Sequence, residues 1–171
     1  EYNEATESLD ALRLMYISML MSAFHSYLKT WTKQSNIPVD DEIKKSVFKK
    51  KGWFSGYHSH FKKHFNIDFN LAPVDLHIIE EIILARNNIE HQSSISGRPK
   101  YNLKDYQKLE SLSYIDEFSN YILREIGFNS FIAPSVSVSG EQLLLALSTI
   151  EEFSEWFNNK LEPKVYSGRE R

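Results

Sequence analysis

The sequence predicts an all-α protein, an up-and-down helical bundle of about four main helices with short extra helices. Three observations carry that prediction. Apolar residues recur at three- and four-residue steps over long stretches, the spacing of one helical face. The 171 residues include 6 Gly and 5 Pro, little material for β-hairpin turns. One stretch, residues 131–139, alternates as a strand does, with Val136 and Val138 set between serines. The length suits one domain, residues 1–171, with a tail from about residue 163 expected to fray. The chain opens on Glu1 rather than Met, as a piece trimmed from a longer product would.

The first helix is expected over residues 8–32, where Leu9, Leu12, Tyr16, Met19, Ala23, Tyr27 and Trp31 form one apolar stripe. Ser35, Asn36, Ile37 and Pro38 break it. Asp40 then caps a short basic helix running to Lys51, with Asp41 and Glu42 in its first turn, opposite the positive end of the dipole. Gly52 ends that helix, and Phe54, Tyr57, Phe61 and Phe65 mark the next. Residues 66–72 read as a loop, and Pro73 suits the first turn of a helix over residues 74–92. Apolar on nearly all sides, that helix has the pattern of a buried central one. An exposed loop is expected at 93–102 and a helix over 103–126, closed by Gly127. Ser139 caps a final helix to residue 161, with Leu143, Leu147, Ile150, Phe157 and Leu161 on its inner face.

Composition removes several chemistries. The chain has no Cys, so thiolate zinc sites, Fe–S clusters, disulfides and a Cys nucleophile are out. It carries no glycine-rich phosphate loop, no HExxH, no GxSxG and no EF-hand pattern. No cofactor is expected. The most apolar stretch, residues 11–28, is interrupted by Arg13, His25 and three serines, unlike a membrane span. A soluble, cytoplasmic protein that does not engage a membrane is the expectation.

Charge is distributed unevenly. Residues 43–67 hold no acid and seven lysines: Lys44, Lys45, Lys49, Lys50, Lys51, Lys62 and Lys63. The rest of the chain has 13 basic residues against 23 acidic ones. Trp53, Phe54, Tyr57, Phe61 and Phe65 stand among those lysines. Such a block can lie along a phosphate backbone while its aromatics pack or stack. The competing reading is a solvated helix face over core aromatics. Lys49, Lys50, Lys51, Lys62 and Lys63 are the candidate RNA-binding residues. His58, His60 and His64 have a metal-like spacing, but on a helix two of them share a face and the third points away. Surface or RNA-facing histidines are the expectation there, with no metal site.

The distinctive segment is Arg86-Asn87-Asn88-Ile89-Glu90-His91, at the end of the apolar helix. Burying an Arg there is costly without an anionic partner. Asn87 and His91 are one turn apart, while Arg86 lies about 140° round an ideal helix from His91. One reading is a polar helix end, with Arg86 paired to Glu81 or Glu90 and His91 meeting the dipole. The other is a catalytic cluster.

RNNIEH has the R-N-x3-H form of the R-x4-6-H motif and resembles the HEPN (higher eukaryotes and prokaryotes nucleotide-binding) superfamily. The flanking HFKKHFNIDF and LHIIEEIILARNNIEHQ look similar too, and together the match covers about a third of the chain. The resemblance implies a metal-independent endoribonuclease, a toxin or antiviral effector, acting as a homodimer that joins two motifs in one cleft. It implies Arg86, His91 and Asn87 as catalytic residues, RNA as substrate, and an antitoxin or flanking regulatory domain as partner. In that chemistry His91 takes the proton of a ribose 2′-OH, Arg86 holds the phosphate, and Asn87 orients either. One departure stands out. HEPN toxins paired with a minimal nucleotidyltransferase carry a modifiable Tyr two positions after the His, where this chain has Ser93. Other HEPN domains have lost cleavage and serve as RNA- or nucleotide-binding or dimerisation modules.

Overall fold

The computed structural model describes residues 2–90, 136 and 138–166, and among them every regular element is helical. The elements are α1 (Tyr2–Gln34), α2 (Asp41–Ile43), a π-helical turn (Lys44–Phe48) and α3 (Lys49–Lys51). They continue with α4 (Trp53–Phe65), a 3₁₀ turn (Phe69–Leu71), α5 (Leu76–Glu90) and α6 (Gly140–Tyr166). The all-α expectation is met. The loop at 93–102, the helix at 103–126, Gly127 and most of the alternating run lie outside the described residues. Among the described residues no helix is long and apolar enough to cross a membrane.

Contacts divide the chain into two compact units, residues 1–21 with 77–149 and residues 22–76 with 150–171. The second is built on aromatic rings. Phe24 of α1, Phe54 and Phe61 of α4, Phe69 of the 3₁₀ turn, and Phe153 and Phe157 of α6 are all buried. They meet edge to face: Phe61 on Phe157 at 4.8 Å and 77°, Phe69 on Phe153 at 5.0 Å and 84°, Phe24 on Phe153 at 5.4 Å and 89°. Each such pair adds about 0.5–1.5 kcal/mol beyond the area it buries. Asn158 ties α6 to α1, its Oδ1 accepting from the Tyr27 hydroxyl at 2.5 Å and Trp31 Nε1 at 3.0 Å. Burial pushes the Tyr27 hydroxyl up to about 12.

Two glycines shape the approach to α4. Gly52 separates α3 from α4 at φ 92°, a conformation that L side chains rarely adopt. At Gly56 a Cβ would overlap the Phe48 ring, so the missing side chain is what lets the π-helical turn lie on α4. Asn66 closes α4 in the left-handed conformation (φ 51°), and the Ile67 N–H reaches back to the Phe61 carbonyl at 3.2 Å. This is a Schellman-type stop.

In the first unit α1 buries Ile17 and Met21, α5 buries Ile79, Ile82, Leu84 and Ala85, and α6 buries Gln142 and Ala146. Val136 and Val138 are buried beside them in sequence. Ser139 caps α6 as expected, and the cap is reciprocal. The Gln142 N–H donates to Ser139 Oγ at 3.2 Å, and the Ser139 N–H donates to Gln142 Oε1 at 2.7 Å.

Two expectations are corrected. The N-terminal part of the α1 stripe is not buried, since Leu9, Leu12, Tyr16 and Met19 are 47–57% exposed, whereas Tyr27 and Trp31 of the same stripe meet Asn158 of α6. The buried ridge is Ile17, Met21, Phe24 and Leu28, roughly 140° round the helix. Apolar residues occupy both ridges, and the packing partners choose between them. On α6, Leu147 is exposed and the inner positions go to Gln142, Ala146, Thr149 and Ile150, an orientation consistent with the capping box. Helix α6 runs through Pro163 to Tyr166, with Val165 buried. There Lys164 Nζ donates to the Phe65 carbonyl at 2.5 Å.

Candidate functional site

Helix α5 starts at Leu76, leaving Pro73 in the turn before it rather than in its first turn. None of residues 78–89 is exposed, as the apolar pattern predicts. Within this enclosed helix Arg86 is the cation that keeps some contact with solvent, its side chain 25% exposed. Its Nη2 lies 2.6 Å from Glu90 Oε2, and its Nη1 donates to Asn87 Oδ1 at 3.2 Å. Nε is enclosed and has no acceptor among the described residues. Asn88 is the more deeply buried of the two asparagines, and its Nδ2 donates to the Leu84 carbonyl at 2.8 Å.

The pairing of Arg86 with Glu90 is the one that a polar helix end predicts, and Asn87 braces Arg86 through Oδ1. His91 lies outside the described residues. What the described part of the motif offers is a permanently charged, forked donor, a quarter exposed, whose two terminal nitrogens are held by Asn87 and Glu90.

The lysine block divides in two. Lys62 Nζ lies 2.7 Å from Asp68 Oδ2 and Lys63 Nζ lies 2.8 Å from Asp40 Oδ2. Lys44 meets Asp41 at 2.9 Å. Lys49, Lys50 and Lys51 are exposed on α3 and make no ion pair among the described residues. The aromatics between them do not form a stacking platform. Phe54, Tyr57 and Phe61 are core, and Trp53 stacks on His25 at 4.6 Å.

The three histidines have separate fates. His58 Nε2 lies 2.8 Å from Asp68 Oδ1, with its ring stacked on Phe69, and His64 Nε2 lies 3.2 Å from Asp40 Oδ2. His60 corrects the surface reading, being fully buried with neither ring nitrogen hydrogen-bonded among the described residues. Burial, together with nearby His64, pushes its pKa down to about 4, so it is neutral at pH 7. Among the described residues no group of three His, Cys, Asp or Glu is placed to hold a metal ion.

Two carboxylates organise this face, and sequence reasoning missed both roles. Asp40 makes no side-chain cap to α2, contrary to expectation, because two cationic partners take its carboxylate and charge-assisted bonds outweigh a cap. Lys63 chiefly, and then His64, hold Asp40 below the usual carboxylate range. Asp68 is held lower still, first by Lys62 and then by the Asn70 N–H that it caps. The turn pattern Asp68-Phe69-Asn70 carries a local signal for the second role. The first spans 24 residues and leaves no local trace.

Arg86 and Asn87 belong to the first compact unit and the lysines to the second. No family model, curated protein or solved structure matches the chain.

Proposed function

We propose that the chain is a metal-independent endoribonuclease of the HEPN type, a cytoplasmic toxin or antiviral defence effector with Arg86 and His91 at a cleft between two copies. The observation that carries this reading is Arg86 itself. A charged guanidinium with a quarter of its side chain exposed, braced by Asn87 at R-N-x3-H spacing, stands on an otherwise enclosed helix. Neutral His91 takes the 2′-OH proton, the 2′ oxygen attacks the adjacent phosphorus, and the 5′ oxygen leaves and takes up a proton. Arg86 stabilises the pentacoordinate charge. The products are a 2′,3′-cyclic phosphate and a 5′-hydroxyl.

Exposed apolar residues support a second copy. Leu9, Leu12, Met15, Tyr16 and Met19 on α1 and Leu144 and Leu147 on α6 are exposed in the unit that holds Arg86, apolar surface of the kind partners cover. An antitoxin or flanking regulatory domain is the further partner that the resemblance implies. The alternative, a non-catalytic module that binds RNA or nucleotide or serves dimerisation, draws on the Arg86–Glu90 pair, which already neutralises the cation.

The test is RNA cleavage in EDTA, wild type beside His91→Ala, with light scattering on the same samples. The expected result is a dimer that leaves cyclic-phosphate ends on RNA, spares DNA, and is inert as His91→Ala. Wild-type protein that binds RNA and leaves it intact establishes the alternative.

A further inference from the structure

Glu90 has no role in the proposed chemistry, yet its carboxylate makes the shortest contact to the motif arginine, 2.6 Å at Nη2. A helical brace is a poor account of this pair. An acid that follows its cation by four residues is the weaker orientation of a helical ion pair. The contact is made to a single terminal nitrogen and leaves Nε enclosed without an acceptor among the described residues, although a carboxylate can take Arg in a two-bond fork. Asn87 braces the other terminal nitrogen independently, so Arg86 does not depend on Glu90 alone for its position. The Glu90 side chain is itself 35% exposed and has room to leave.

We infer that Glu90 is a displaceable internal anion that occupies the phosphate position on Arg86, so that an RNA phosphate must replace its carboxylate to engage the motif. This rests on the reading of Arg86 as a phosphate ligand. The carboxylate neutralises a cation on an enclosed helix while the protein is empty, and competes with substrate at the same guanidinium edge. A phosphate diester offers the same negative charge with oxygens in tetrahedral array, and its linkage along a chain supplies contacts elsewhere that the carboxylate lacks. Glu90 is therefore a positioning residue that sets a threshold for substrate entry.

The test compares Glu90→Gln with wild type for binding a labelled 2′-O-methyl RNA oligonucleotide, which cannot be cleaved, across a salt series. Gln keeps the size of Glu and removes the charge, and circular dichroism checks that helicity is retained. The expected result is affinity tighter by about three- to tenfold at low salt, the competing carboxylate being gone, with a salt slope near that of wild type, since the complex makes the same phosphate contacts. The same change made on an Arg86→Ala background should then have no effect. Unchanged or weaker binding by Glu90→Gln overturns the inference. So does a gain that persists without Arg86, which marks a general effect of net charge. Cleavage of unmodified RNA is read separately. If wild type and Glu90→Gln both leave it intact, the nuclease reading fails while the binding data still decide the role of Glu90.

Discussion

Replacing Lys49, Lys50 and Lys51 together by Ala separates the lysines that have carboxylate partners from those that do not. All three project from α3 into solvent and pair with no acid among the described residues. Each is open to a phosphate. Lys62 and Lys63 already hold Asp68 and Asp40, so an RNA phosphate must compete for them. Each phosphate contact to a single strand adds about 0.7 to the slope of log affinity against log salt. A fourfold rise in salt then weakens each contact roughly 2.6-fold, and three contacts together by about 20-fold. The triple variant should bind RNA more weakly at low salt and lose about 20-fold less affinity between 50 and 200 mM salt than wild type does. A Lys62→Ala, Lys63→Ala double variant should keep a slope near wild type and show a small loss of thermal stability. Fluorescence anisotropy with a labelled RNA over a salt series measures both. A triple variant with wild-type affinity and slope refutes the reasoning and leaves α3 as a solvated face.

Two further predictions concern the frame around that face. Gly56→Ala should cost about 1–3 kcal/mol, the usual penalty of overpacking, because its Cβ would drive Phe48 off α4; urea unfolding reads the loss, and a change within error would show that the ring moves freely. His60 should make stability depend on pH between about 6.5 and 4. Its folded pKa lies at about 4, so across this window the unfolded chain binds more protons than the folded one. Stability is then full above pH 6.5 and falls by roughly 2–3 kcal/mol as pH drops to 4. Asp40 and Asp68, with lowered pKa values, keep their contribution until pH falls below about 3.8, the ordinary carboxylate value. His60→Phe should flatten the profile above pH 4, and a profile unchanged by that substitution would place the titration elsewhere.

Helix class, the break after α1, the stop at Gly52 and the cap at Ser139 were all legible from single residues, because caps and breakers act within one turn of the backbone. So was the enclosure of α5, whose isoleucines and leucines lie on nearly all sides. The outcome at α1 was not legible. Leu9, Leu12, Tyr16 and Met19 satisfy helical spacing as well as Ile17, Met21, Phe24 and Leu28 do, and periodicity carries no information about which ridge meets a partner. That decision lies with the aromatic rings of α4 and α6, brought together from residues 24 to 157. The same limit governs the charges. Seven lysines without a nearby acid read as one basic surface, yet Asp40 reaches Lys63 and His64 across the chain. Folding divides the block into paired and unpaired cations. By itself the sequence determined the helical class, the breaks after α1 and at Gly52, the cap at Ser139 and the polar Arg86 cluster, because those depend on neighbours within a turn or two. Tertiary structure alone decided which faces are buried, which lysines stay open to an anion and that His60 is sealed in the core, because each depends on atoms far apart in the chain.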